Sequence, residues 1–129
     1  MAASPVYVGT PLTWLAALAT ANTNRNGTGA MSTLITAGSN GTRIDSIRFI
    51  AAGTTVASQV RLFLSNGSVT QLFDEIDVLA VTPSPSGGVP VWKQDITYAD
   101  GFVLPAGWTL QASTNDAQSI NVYARGGNL

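Results

Sequence analysis

The stretch VASQVRLFLSNGSVTQLFDEIDVLA, residues 56–80, decides the fold class. Two runs of alternating apolar and polar residues flank Asn66-Gly67, a dipeptide that favours the type I′ turn of a two-residue hairpin. In the first run Val60 and Leu62 point one way and Arg61, between them, points the other way. Because side chains alternate between the two faces of a strand, this period of two predicts a half-buried antiparallel hairpin.

Turn-forming residues recur along the whole chain, in which 13 Gly and six Pro separate short apolar runs. Residues 12–21 fit a helical face and a strand equally well, and the surrounding Thr and Asn favour a strand. Two further Asn-Gly pairs, at 26–27 and 40–41, predict further type I′ turns. Additional strands are expected over residues 43–51, 89–98, 102–104, 108–114 and 119–125. The sequence therefore predicts an all-β fold, an antiparallel β-sandwich that is jelly-roll-like.

The N-terminus differs from the rest of the chain. Pro5, Gly9 and Pro11 fall within eleven residues, which predicts an extended N-terminal arm over residues 1–11 and a single β-sandwich domain over 12–129. Such arms are often exchanged between neighbouring subunits. Pro5, Tyr7 and Pro11 are therefore candidate interface residues.

The composition argues against an enzyme. The 129 residues include no His and no Cys, and only 6 basic and 7 acidic side chains. Hydrolytic, redox and metal chemistry mostly depends on those missing residue types, and Ser or Thr has no His here to act as its base. A net charge of −1 gives no attraction to nucleic acid or to an anionic membrane. We expect a non-enzymatic protein with no cofactor, metal, nucleic-acid or membrane partner.

Three sets of charged residues are candidates for a binding site or an ion pair. Asp74, Glu75 and Asp77 could bind Ca²⁺, but their position within a predicted strand favours a charged edge strand that resists unwanted pairing. Arg61 lies between two apolar residues, where an unpaired charge is costly. It is the best single candidate for a salt bridge between subunits, and a solvated strand face is the alternative. Asp45 and Arg48 are candidates for a second pair, within or between chains.

Trp14, Trp92 and Trp108 bear on binding. Exposed on a β-sandwich, these rings would stack on sugars, whereas core packing is the ordinary role of tryptophan.

Several segments resemble small virion proteins of tailed bacteriophages. They are residues 21–29, Gly41-Thr42-Arg43-Ile44, Val60-Arg61-Leu62-Phe63, residues 104–108 with Ala112-Ser113-Thr114, and residues 121–127. The resemblance is greatest to a capsid decoration, or cement, protein. It implies a homotrimer on the outer capsid surface of the virion, bound to the major capsid protein and made in the cytoplasm of the host bacterium.

Two other functions remain open from the sequence. One is a β-sandwich associated with the tail, baseplate or fibre that contacts host carbohydrate. The other, more remote, is a small hydrolase that uses the scattered carboxylates Asp95, Asp100 and Asp116.

Overall fold

The computed structural model describes residues 8–129, apart from the side chains of Ala99 and Asp100, and in this range it contains β-strands and no helix. The eight strands are β1 Thr10–Leu18, β2 Ser32–Thr36, β3 Thr42–Ala51, β4 Ser58–Ser65, β5 Thr70–Val78, β6 Lys93–Leu104, β7 Thr109–Thr114 and β8 Ile120–Asn128.

The strands form two four-stranded antiparallel sheets. The first sheet has the order β1-β8-β3-β6 and the second the order β2-β7-β4-β5. Most successive strands therefore belong to different sheets. Among the described strands, only β4 and β5 form a hairpin within one sheet. This strand order is that of a jelly roll, and the predicted all-β, jelly-roll-like sandwich is confirmed.

The core lies between the two sheets and follows from strand alternation. In β3, Ile47 and Phe49 are buried while Arg48 between them is exposed. Every other residue of each central strand enters the same layer, so the apolar side chains of the two sheets pack face to face. The buried cluster includes Ile44, Ile47, Phe49, Val60, Leu62, Trp92, Leu104, Leu110, Ala112, Ile120, Val122 and Ala124.

Two strands differ from their predicted form. Strand β2, Ser32–Thr36, was not predicted, because it has five residues and a register shift between Thr33 and Ile35 interrupts its alternation. Strand β6 is continuous over Lys93–Leu104, where two strands were predicted. A bulge between Ile44 and Ser46 of β3 shifts the register: the partners of these two residues on β6 are separated by four residues, 98–101, where β3 has one, and β6 continues without a break.

The last two residues of the range predicted as an arm, Thr10 and Pro11, belong to the first strand. Strand β1 begins at Thr10, and Pro11 is opposite Gly127 in the ladder with β8. Pro11 has no N–H to donate, and it is tolerated because β1 is an edge strand.

The Asn-Gly turns are not of type I′, which needs positive φ at both central residues. Gly67 has φ 94°, but among the described residues only glycines have positive φ. The β4-β5 loop instead contains four residues, and the Asn66 side-chain oxygen accepts hydrogen bonds from the backbone N–H groups of Ser68 and Val69. The chain also reverses at Pro105: Gly107 has φ 83°, and Trp108 N–H donates to the Pro105 carbonyl at 3.1 Å.

Candidate functional site

The two outer faces of the sandwich differ in what covers them. Residues 19–31, here called the strap, connect β1 to β2 and cross the outer face of the second sheet. The strap begins on β7, where Asn22 N–H donates to the Thr114 carbonyl at 2.8 Å. It reaches β5, where Gly27 lies against the backbone of Thr70. The outer face of the first sheet has no comparable cover among the described residues.

Asn22 holds the strap in shape. Its side-chain nitrogen donates to the carbonyls of Thr28 and Ala30, at 3.0 and 2.9 Å. Its side-chain oxygen accepts from Asn24 N–H at 3.0 Å. A side chain at Gly29 would collide with the side-chain amide of Asn22. The strap therefore packs tightly around Asn22, a buried polar residue whose hydrogen bonds are satisfied.

Arg61 lies beneath the strap and is only 2% exposed. Its guanidinium donates to the Asn22 carbonyl at 3.1 Å, to Gln59 Oε1 at 2.7 Å and to Glu75 Oε1 at 3.2 Å. Arg61 therefore forms an ion pair with Glu75 of its own chain, whereas the prediction placed its partner in another subunit. Arg25 of the strap donates to the same Glu75 oxygen at 2.8 Å, so one carboxylate holds two arginines.

Glu75 makes part of the stability dependent on pH. The hydrogen bond from Arg25 lowers the pKa of the Glu75 carboxyl most, burial opposes this, and the bond from Arg61 lowers the pKa further. Because the folded pKa is below the unfolded one of about 4.3, the carboxylate stabilises the fold above that pH, and this stability is lost as the pH falls through the folded pKa.

We expect the free energy of unfolding to decrease on acidification below about pH 4.3, and to decrease less in Glu75→Gln, which has no carboxyl to protonate. Urea denaturation between pH 7 and pH 3 measures both slopes. Equal slopes in the two proteins would contradict this role of Glu75.

The outer face of the first sheet, here called the open face, presents a row of side chains that crosses all four strands. Leu15 is opposite Tyr123, Tyr123 is opposite Arg48, and Arg48 is opposite Asp95. Leu15 is 67% exposed and Tyr123 37%. Arg48 donates two hydrogen bonds to the Asp95 carboxylate, at 2.6 and 2.9 Å, and lowers the pKa of that carboxyl. An exposed leucine beside an aromatic ring and an arginine has the residue composition of a protein interface.

Cations surround this row. Arg125 donates to Ser46 Oγ at 3.3 Å, and Lys93 is exposed at the start of β6. Neither of these two side chains forms an ion pair with a described carboxylate. The face between Thr13, Arg48, Tyr123 and Arg125 is a shallow depression of about 520 Å³.

A second exposed apolar region lies at one end of the sandwich, where β3 and β5 end and β4 and β6 begin. Val56, Leu79 and Val89 are exposed there on the connecting loops. These loops are ordered by a two-residue bridge between Thr55 and Val81 and by a hydrogen bond of 2.7 Å from Thr55 Oγ1 to the Leu79 carbonyl. We call this region the loop end.

Of the four predicted interface residues, the two that the structure describes lie in different sheets. Pro5 and Tyr7 lie outside the described residues, Pro11 is exposed on β1 of the first sheet, and Arg61 is buried in the second sheet. Leu15 and Tyr123 were not predicted. The signal for Leu15 was present, since a strand that turns Trp14 inward must turn Leu15 outward.

The remaining charged and aromatic groups are now placed. Asp45 pairs with Arg43 at 2.9 Å, and not with Arg48. Strand β5, which contains the three neighbouring acids, is an edge strand as predicted. Trp92 is buried, while Trp14 and Trp108 are half-buried and pack against the core. Within residues 8–129, no group of three or more acidic side chains is arranged to hold a metal ion.

Comparison with known proteins found no matching family model and no curated protein with a significant match. Among the described residues, no helix is long and apolar enough to cross a membrane.

Proposed function

We propose that this chain is a non-enzymatic structural protein of a bacteriophage virion, a decoration protein that stabilises the head by bridging major capsid subunits from the outside. One observation carries the proposal: the described residues include two separate surfaces with exposed apolar side chains, the open face and the loop end, on one small sandwich. A bridging protein needs two such contacts, one to a sister copy and one to the shell.

The two surfaces suit different partners because they differ in composition. The open face is broad and mixes charged with apolar groups, which suits a partner that must be chosen by charge. The loop end presents exposed apolar side chains, with Leu79 64% exposed, and suits insertion between capsid subunits. When several copies are joined, each weak loop-end contact is reinforced by the effective concentration of the others. The joined copies therefore bind the assembled shell better than they bind a free subunit.

Co-sedimentation with purified phage heads and, separately, with tails tests this function. We expect saturable binding to expanded heads and none to tails. Leu79→Asp places a charge at the loop end and is expected to weaken head binding at least about tenfold, because a buried unpaired charge is costly. The matched control is Val69→Asp, at an apolar residue that is 52% exposed at the opposite end, and this variant is expected to bind as the parent does.

One observation favours a second candidate, contact with a carbohydrate. A recess of about 340 Å³ at the opposite end places Trp108 and Phe73 beside the polar side chains of Asn66 and Gln71, a combination of rings and amides that suits a sugar. If this is the function, the same two variants give the reverse result: Val69→Asp loses binding to tails or host cells, and Leu79→Asp retains it.

A further inference from the structure

The two sheets have four edge strands, and β1 is the least protected of them against pairing with another chain. Strand β5 contains three neighbouring acidic residues, and β6 contains Lys93 and Asp95. Strand β2 has only five residues, and a register shift interrupts it. Charge, short length and bulges are the usual protections of a sheet edge. Strand β1 has nine residues, a regular register with β8 and no charged side chain, and its Pro11 removes only one donor.

The backbone groups of β1 that point away from β8 follow from two contacts. The Ala17 carbonyl accepts a hydrogen bond of 3.4 Å from the side chain of the first residue of β2, so it points away from β8. The Thr10 carbonyl points towards β8, because a Cβ atom at Gly127 would collide with it. Since successive residues of a strand direct their backbone groups to opposite sides, Thr13 and Leu15 direct theirs to the free edge. Among the described strands, none pairs with β1 on that side.

The apolar side chains of β1 are exposed on both faces of the strand. Leu15 lies on the open face and is 67% exposed. Leu12, Trp14 and Ala16 turn towards the core, yet each remains partly exposed, whereas the inward apolar residues of the central strand β3 are buried. A strand added at the free edge of β1 would cover side chains on both faces and would also pair with the free backbone groups.

We propose that β1 pairs antiparallel with β1 of a second copy of this chain, so that the first sheets of the two copies form one continuous sheet about a two-fold axis. The absence of charge permits this pairing, because no like charges meet when β1 lies beside its own copy. Strand β5 paired in the same way would bring acidic residues together, which is unfavourable.

The two ends of β1 match each other in this pairing. Pro11 has no N–H to donate, and the Ala17 carbonyl already accepts the hydrogen bond from β2. With Trp14 opposite Trp14, Pro11 of each copy is opposite Ala17 of the other, so the missing donor coincides with the occupied acceptor. Between these positions, Thr13 and Leu15 are opposite each other and exchange their free N–H and C=O groups. Because this match is a property of β1 paired with itself, the partner that fits is a second copy.

The contact goes beyond the proposed function, since it joins two copies without any phage particle. The same patch meets itself across the two-fold axis, and such a contact closes with two copies. The resemblance to decoration proteins implies a trimer instead, so the number of copies in solution distinguishes the two arrangements.

Sedimentation equilibrium of the full chain at about 10–300 μM tests the proposal in the range of weak protein contacts. We expect a monomer–dimer equilibrium that is the same at about 50 and 500 mM NaCl, because β1 has no charge for salt to screen. A parent protein that stays monomeric over this range, that forms trimers, or that dissociates at the higher salt concentration overturns the proposal.

Leu15→Lys and Leu15→Glu locate the contact. Each places two like charges diagonally across the two-fold axis, about 7–8 Å apart and within reach of long side chains, and is expected to weaken dimerisation at least about tenfold. An equimolar mixture of the two variants brings opposite charges together and is expected to recover association as a heterodimer. The matched control is Val103→Lys, at an apolar residue that is 50% exposed on β6, the other edge strand of the same sheet. It is expected to dimerise as the parent does.

Thermal unfolding at a protein concentration where the parent is monomeric establishes that each variant is folded. Leu15 variants that dimerise as the parent does, or a mixture that stays dissociated, overturn the pairing about Trp14. Amide hydrogen exchange then tests the backbone pairing itself. The N–H groups of Thr13 and Leu15 are expected to exchange more slowly as the parent dimerises. A dimer in which their exchange is unchanged is not joined through β1 and also overturns the proposal.

Discussion

Gly126→Ala is expected to destabilise the fold by about 3 kcal/mol or more, at or above the upper end of the usual cost of overpacking. Strand β8 lies between β1 and β3, and at Gly126 it approaches the β3 backbone unusually closely. A Cβ atom there would overlap the Arg43 carbonyl oxygen and lie 2.9 Å from the carbonyl carbon of the same residue. Backbone atoms cannot move aside as a flexible side chain does, so the two strands must separate beside the bulge in β3.

Thermal unfolding measures this effect. For a chain of this length, a loss of about 3 kcal/mol lowers the melting temperature by roughly 10 °C. Gly88→Ala is the matched control, because a Cβ atom at that position meets nothing within 4 Å. It is expected to change stability by less than about 0.5 kcal/mol. A Gly126→Ala protein that melts within a degree or two of the Gly88→Ala protein would show that β8 and β3 are not so tightly apposed.

Glu75→Gln is expected to cost about 2–3 kcal/mol, somewhat less than the roughly 3–5 kcal/mol for breaking a fully buried ion pair, because Glu75 is partly exposed. The substitution preserves the size of the side chain and removes its charge. Arg61 then remains buried with two neutral acceptors, the Asn22 carbonyl and Gln59, and no counter-charge. The strap is loosened as well, since Arg25 reaches the same carboxylate.

Asp95→Asn is the control for this prediction. It removes a carboxylate from an arginine pair of better geometry, but Arg48 and Asp95 are each about half exposed, at 51% and 50%. Exposed pairs contribute little to stability, so Asp95→Asn is expected to unfold at nearly the parent's urea concentration. Equal losses in the two variants would contradict the burial of the Arg61 guanidinium.

The fold class could be predicted because its signal is local. Alternation in residues 56–80 reports which side chains face the core, whatever the rest of the chain does. Strand β2 could not be predicted in the same way, since its bulge breaks the alternation and its position depends on β7. The turn type was predicted wrongly because the loop is longer than two residues and the Asn66 side chain accepts a hydrogen bond within it. The loop length depends on the register in which β4 and β5 pair.

The candidate site was less predictable because it depends on contacts between distant residues. The sequence showed that Arg61 needed a partner, but it could not show that the strap, 39 residues earlier in the chain, provides one. Likewise, Leu15 and Tyr123 lie near opposite ends of the chain and meet only through the pairing of β1 with β8. Alternation within a strand shows on which face of the sheet each side chain lies. Which side chains on that face become neighbours depends on the order of the strands in the sheet.

Cryo-electron microscopy of expanded phage heads saturated with the full chain tests the central claim most directly. A decoration protein adds density outside the shell where major capsid subunits meet, with the loop end of each sandwich towards the shell. Heads that carry no added density at saturating concentration, together with density on the tail or its fibres, would contradict the account.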